Sequence, residues 1–191
     1  MKTTTFVFLL MTALVAVSCK KSKDATPVVS HWYMSVYTYE KGVDNSDMMV
    51  WLTMHQNHRN SLTEIKADKG LEVKVLFGYY KDDKGNGLYS PIAYPVLYGQ
   101  EKWTTQNNTV FKKTAFSEKD FYELSNNNAK AVTASYIEKA WQEGTATGNK
   151  FTDLEIGDVF VFEIAGKVKG IARVHDFYTN NTAIKLEVWT M

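Results

Sequence analysis

Six rings fall close together in the middle of the chain: Tyr79, Tyr80, Tyr89, Tyr94, Tyr98 and Trp103, with the amides Gln100, Gln106, Asn107 and Asn108 interleaved. Flat aromatic faces beside amide donors and acceptors suit the capture of sugars, and aromatic side chains are equally enriched where proteins meet. These six residues are the candidate binding set, for a glycan or for a peptide or envelope protein. A second constellation is His55 and His58 beside Met48, Met49 and Met54. Imidazole and thioether ligands together suit copper, and histidine pairs suit zinc. A three-residue spacing shares a face on a helix, however, and His55 closes a stretch with strand character. Met48, Val50, Leu52 and Met54 alternate as an ordinary buried strand face, so no metal is assigned. The run Asp82-Asp83-Lys84-Gly85-Asn86-Gly87 has the density of oxygen ligands of a calcium loop, but Lys84 takes a ligand position and no Glu closes the loop. A tight hairpin turn accounts for the glycines, and no cofactor is expected.

Reaction chemistry finds little support. There is no Gly-x-Ser-x-Gly elbow, no phosphate-binding glycine loop and no dinucleotide fingerprint. The chain carries a single cysteine, Cys19, and its carboxylates are scattered. The sequence is read as that of a protein without catalysis of its own. With 22 Lys and Arg against 21 Asp and Glu, it lacks the basic surplus that nucleic-acid binding demands. A hydrophobic content of 45%, with aromatic residues making up 14% of the chain, excludes disordered and collagen-like classes.

Residues 1–18 have the layout of an export signal: Lys2, an apolar stretch from Phe6 to Val17 broken by Thr12, then the small residues Ala16 and Ser18 before Cys19. The apolar run is too short for a transmembrane helix, which needs about 20 residues. Val17-Ser18-Cys19 resembles the lipobox of bacterial lipoprotein precursors, in which a small residue precedes an invariant Cys. Ala16 departs from that pattern, which usually carries a bulky aliphatic residue there, and Ala-x-Ser is also accepted by ordinary signal peptidase. The resemblance implies cleavage after Ser18, a diacylglyceryl thioether on Cys19 and an acylated amino group, and hence attachment to a membrane by lipid. In the same family an Asp after the Cys often marks inner-membrane retention; Lys20 in that place implies the outer membrane, facing either the periplasm or the outside. The aromatic- and Asn-rich body is similar to envelope lipoproteins common in the Bacteroidota. Residues 19–30, charged and then small up to Pro27, read as a tether.

Residues 31–191 read as one α+β domain dominated by β-structure, an antiparallel sheet or small barrel, with one or two helices inserted before a C-terminal meander. The aromatic segment 31–39 and the segment 48–55 suggest a hairpin across the turn at 41–47. Leu71, Val73, Val75 and Phe77 alternate with charged residues as a strand with one buried face. A strand near 88–98 is interrupted by Pro91 and Pro95, and a weaker one covers 110–115. Ser117 caps one helix, and a longer helix is predicted from about 129 to 143. Its stripe of Val132, Tyr136, Ile137, Ala140 and Trp141 reads as core packing, and Gly144 ends it. Val159–Ile164, Val168–Val174 and Ile184–Trp189 form the three-stranded meander, with Ile184, Leu186 and Val188 on one face and Lys185 and Glu187 on the other. Two roles compete: a binding module, which requires an exposed groove lined by rings, and a structural or accessory subunit of an outer-membrane complex, which requires a broad apolar patch; a hydrolase with an unrecognised site is the further alternative and requires a cleft with converging polar side chains.

Overall fold

The structure, a computed structural model, describes residues 27–40, 42–54, 57–97, 99–126 and 129–191. Cys19, His55 and Tyr98 lie outside the described residues. The strands are β1 (Ser30–Tyr37), β2 (Trp51–Thr53), β3 (Arg59–Asn60), β4 (Val75–Asp82), β5 (Gly85–Tyr89), β6 (Val110–Lys113), β7 (Thr145–Gly148), β8 (Lys150–Thr152), β9 (Val159–Ile164), β10 (Val168–Phe177) and β11 (Ala183–Thr190). They form two antiparallel sheets, a six-stranded one in the order β1-β11-β10-β9-β6-β7 and a five-stranded one in the order β3-β2-β4-β5-β8. The fold is therefore the α+β, β-dominated class expected, built as two open sheets rather than as a barrel.

Period-2 alternation creates the layers. From the larger sheet Val36, Phe160, Phe162, Ala172, Val174, Ile184, Leu186 and Val188 point inward, and from the smaller one Leu52, Leu76, Phe77, Tyr79 and Leu88 meet them. The opposite face of the small sheet is covered by helix α1 (Leu62–Ala67) and the 3-10 turn at Lys69–Lys74, which bury Leu62, Ile65 and Leu71 against Trp51 and Val75. The opposite face of the large sheet is covered by α2 (Glu118–Asn126) and α3 (Ala134–Glu143), through Phe121, Ile137 and Ala140 on Val159, Val161, Ile171 and Trp189. The predicted stripe of α3 is thus core. No helix among the described residues is long and apolar enough to cross a membrane.

The helix starts follow side-chain chemistry. Ser61 and Glu64 form a capping box on α1, with the Glu64 N–H donating to Ser61 Oγ at 3.2 Å and the Ser61 N–H donating to Glu64 Oε2 at 2.9 Å. Ser117 Oγ accepts the Asp120 N–H at 3.1 Å, and Thr133 Oγ1 accepts the Tyr136 N–H at 3.3 Å. Thr133 is why α3 begins at Ala134 and not near 129.

Three expectations are corrected. Segments 31–39 and 48–55 are not a hairpin: β1 pairs with β11 along Ser30↔Thr190 to Tyr37↔Ala183, while β2 belongs to the other sheet. The Tyr37 N–H donating to the Met49 carbonyl at 3.0 Å is where the two segments touch. The alternation at 71–77 is strand only from Val75; Asp68 Oδ1 takes the Gly70 N–H at 2.8 Å and starts a 3-10 turn, which leaves Val73 exposed. The strand near 88–98 stops at Tyr89, where Ser90 and Pro91 begin a turn closed by the Tyr94 N–H on the Ser90 carbonyl at 2.9 Å. The run at 81–87 is a hairpin, Asp82 pairing with Gly85.

Candidate binding surface

Strand β1 alternates between two kinds of aromatic side chain. Trp32, Met34 and Val36 pack into the sandwich, and the intervening His31, Tyr33, Ser35 and Tyr37 face the other way. The register carries that outer row across the sheet: His31 stands beside Trp189, Tyr33 beside Glu187 and Ser35 beside Lys185, with Arg173 on the far side of Glu187. Helices α2 and α3 cover the β9–β10 side and leave the β1 side open. Among the described residues the most exposed tyrosines are Tyr33, Tyr122 and Tyr178, 44–48% exposed, and all three border this face. Tyr33 meets His175 edge-on at 5.7 Å, Tyr178 stacks on Tyr37 at 6.5 Å, and the Ser35 and Tyr178 hydroxyls are 3.2 Å apart. Tyr122, from α2, lies 5.0 Å from the Arg173 guanidinium.

Beneath the rings is a buried charged core. Arg173 Nη2 donates to Glu187 Oε2 at 2.7 Å, and His31 Nε2 is 3.0 Å from Glu187 Oε1, with Arg173 and Glu187 4% and 2% exposed. His31 also stacks on Trp189 at 4.5 Å. Burial, the hydrogen bond to Glu187 and the negative charge there push the Tyr33 phenol up to about 12, so it stays a neutral donor. The ion pair fixes His31 and Tyr33 from below and presents pre-oriented rings. Among the described residues no hydroxyl is hydrogen-bonded to His31; its partners are a carboxylate, an indole face and the Tyr33 ring, which it meets edge-on at 5.4 Å.

The face continues round the free edge of β1. β1 ends the large sheet and β3 ends the small one, and the seam between them holds a cavity of about 460 Å³ lined by Tyr33, Ser35, Lys185, Met49, Asn57 and Arg59. Arg59 reaches across the seam from β3, its Nη1 donating to the Ser35 carbonyl at 3.2 Å. Trp32 stacks flat on His58 at 4.0 Å and closes the seam.

Of the six rings expected to bind, the five that are described occupy other places. Tyr79 is fully buried between the sheets, and Tyr94 is buried under the small sheet, its hydroxyl donating to the Tyr79 carbonyl at 2.9 Å. For these two, exposure is overturned: hydrophobic burial claims both rings. Desolvation pushes the Tyr79 phenol well above its ordinary value. Tyr80, Tyr89 and Trp103 are half-buried around Tyr94 and Trp51. Tyr80 also lines a cleft of about 520 Å³ with Tyr39, Met48, Leu97, Asp82 and Asp83. The neighbouring amides act as staples: Gln100 Nε2 donates to the Pro95 carbonyl at 2.7 Å, and Asn107 Nδ2 to the Val75 carbonyl at 2.7 Å. Met48 packs under the small sheet and Met54 against the sandwich core. Among the described residues no three His, Cys, Asp or Glu side chains converge as a metal site. The surface that does gather exposed rings was legible in the order His31-Trp32-Tyr33-Met34-Ser35-Val36-Tyr37, where polar aromatics alternate with apolar side chains.

No family model matches the chain, and no curated protein sequence does. Its fold is similar to the crystal structure of a DUF4466 family protein from Parabacteroides merdae, a member of the Bacteroidota, with a TM-score of 0.57 at 16% identity. The likeness covers 85% of this chain and 53% of that one, so the chain spans about half of the structure it resembles. The architecture is shared; the likeness shows fold alone.

Proposed function

We propose that this protein is an exported, lipid-anchored domain that binds glycans without transforming them, through the open outer face of β1, β11 and β10. The gathering of the exposed tyrosines on that one face carries the reading. Tyr33, Tyr122 and Tyr178 offer flat apolar surfaces, and Ser35, Lys185, His175 and the phenol groups supply hydrogen-bonding groups beside them. A sugar ring needs that combination, an apolar face for its C–H side and polar groups for its hydroxyls. Attachment follows from the amino-terminal pattern: a lipid on Cys19 and a short tether leading directly into β1 hold this face at the envelope, with the outer membrane as its place.

Affinity electrophoresis of the domain through gels containing neutral and acidic polysaccharides tests the reading. Retardation is expected, weakened by Tyr33→Ala and by Tyr178→Ala. Migration unaltered by every polysaccharide overturns it, as does binding that both substitutions leave intact. Binding of peptides in place of glycans makes the face a protein-recognition surface and overturns it too.

A further inference from the structure

The cavity at the seam of the two sheets has a charge that the rest of the platform lacks. Arg59 and Lys185 both line it, from β3 and from β11. Neither is in an ion pair among the described residues, where the pairs formed by arginine and lysine involve Lys113, Lys119, Lys139, Lys169 and Arg173. No carboxylate among the described residues forms an ion pair with either cation. Glu187, two residues along from Lys185, is held by Arg173 and His31. Asp176, opposite Lys185 in register, turns Oδ1 onto the Phe177 N–H at 2.8 Å. Arg59 uses one amino group on the Ser35 carbonyl at 3.2 Å, which fixes the guanidinium at the mouth and leaves its remaining donors for a ligand. Asn57 and the Tyr33 ring complete the wall.

Two cations of different shape across a cavity of about 460 Å³, with an amide and a ring between them, match an anionic substituent on a sugar. Guanidinium forks take planar carboxylates and sulfate oxygens in pairs, while an ammonium acts as a compact charge. Resting on the glycan reading above, we infer that the seam cavity receives the acidic group of a charged glycan, a uronate carboxylate or a sulfate ester, between Arg59 and Lys185, while the sugar face lies on Tyr33. The ligand class is thereby an acidic polysaccharide and not a neutral one.

Titration calorimetry with polygalacturonate, dextran sulfate and neutral dextran tests this, on the wild-type domain and on Arg59→Gln, Lys185→Gln and the double variant. Each variant's urea midpoint is measured in parallel, and Lys185→Gln serves as the milder change because the Lys185 side chain makes no hydrogen bond or ion pair among the described residues. Acidic polymer is expected to bind and neutral dextran not, with each single substitution weakening binding about tenfold, in keeping with one charge-assisted hydrogen bond. Preference for polygalacturonate assigns the carboxylate, and preference for dextran sulfate assigns the sulfate. Binding of acidic polymer should also fade between about 50 and 500 mM salt as screening tightens. The inference is overturned if Lys185→Gln binds acidic polymer as the wild type does, or if neutral dextran binds equally well. The second of those outcomes leaves the glycan reading standing; binding of no polymer at all removes both.

Discussion

Arg173 and Glu187 face each other across β10 and β11, guanidinium nitrogen to carboxylate oxygen at 2.7 Å, with side chains only 5% and 3% exposed. Two charges taken out of water in this way stabilise little as a pair, because desolvation cancels most of their attraction. Their value is positional: Glu187 also takes His31, and His31 lies on Trp189.

Removing one member should therefore cost far more than removing both. Arg173→Met is expected to lower stability by about 3–5 kcal/mol, since it leaves Glu187 buried without its guanidinium. Arg173→Met combined with Glu187→Leu should recover a large part of that loss. Urea unfolding followed by tryptophan fluorescence measures both.

Rings in the core and rings on the platform should separate cleanly in the same assay. Tyr94→Ala empties a buried site and should cost about 3–5 kcal/mol. Tyr178→Ala and Tyr122→Ala, which are exposed, should stay within about 1 kcal/mol of the wild type. A large loss on Tyr178→Ala would make that ring a packing residue and remove it from the binding face.

Gly170 lies where β10 crosses the sandwich core, and a Cβ there would come 2.6 Å from the Trp189 carbonyl oxygen, with the Phe162 ring against it as well. Backbone cannot yield as a flexible side chain does. Gly170→Ala should destabilise by about 1–3 kcal/mol by overpacking, against the usual gain from restricting a glycine. The urea midpoint again reads the sign.

Alkaline titration at the phenolate absorption band should show late-ionising tyrosines, Tyr33 and Tyr136 among them, both pushed up to about 12 chiefly by burial. Because the folded value lies above the unfolded one, this stabilisation is complete below about pH 10 and is lost as pH rises from there through 12. Tyr33→Phe should remove one late step and flatten that part of the decline.

Attachment has its own test. Cys19→Ala should move the protein from the detergent phase to the aqueous phase on cloud-point partition. Each buried methylene of a lipid chain contributes about 0.8 kcal/mol, which the substitution removes. Unchanged partition would place the anchor elsewhere.

Local chemistry was legible along the chain wherever one signal spoke alone. The meander β9–β10–β11, the stripe of α3 and the Ser117 cap follow from alternation, helical spacing and a hydroxyl in the right place. Pairing over distance was not. The segment 31–39 looks for a neighbour in sequence, yet β11 takes it, because Ile184, Leu186 and Val188 continue the same buried face as Val36. The strands Thr145–Gly148 and Lys150–Thr152 carry little apolar signal and are held by pairing with β6 and β5. The proposed binding face was legible only in part, in the alternation along 31–37. The rings crowded at 79–103 divide between the two faces of the small sheet and its loops: Tyr79 and Tyr94 are buried, and Tyr80, Tyr89 and Trp103 are half-buried. Tyr33, Tyr122 and Tyr178 are far apart along the chain and meet only once β1, α2 and β10 are in place.

The Ser30↔Thr190 pairing joins the earliest described strand to the latest. A ribosome delivers β1 long before it delivers β11, so the large sheet stays incomplete until β11 has emerged, and zippering its edge must wait on a slow, long-range closure. The same adjacency means that joining the domain at Ser30 and Thr190 and reopening it at a surface turn should preserve the architecture while giving the chain a new starting point within the fold.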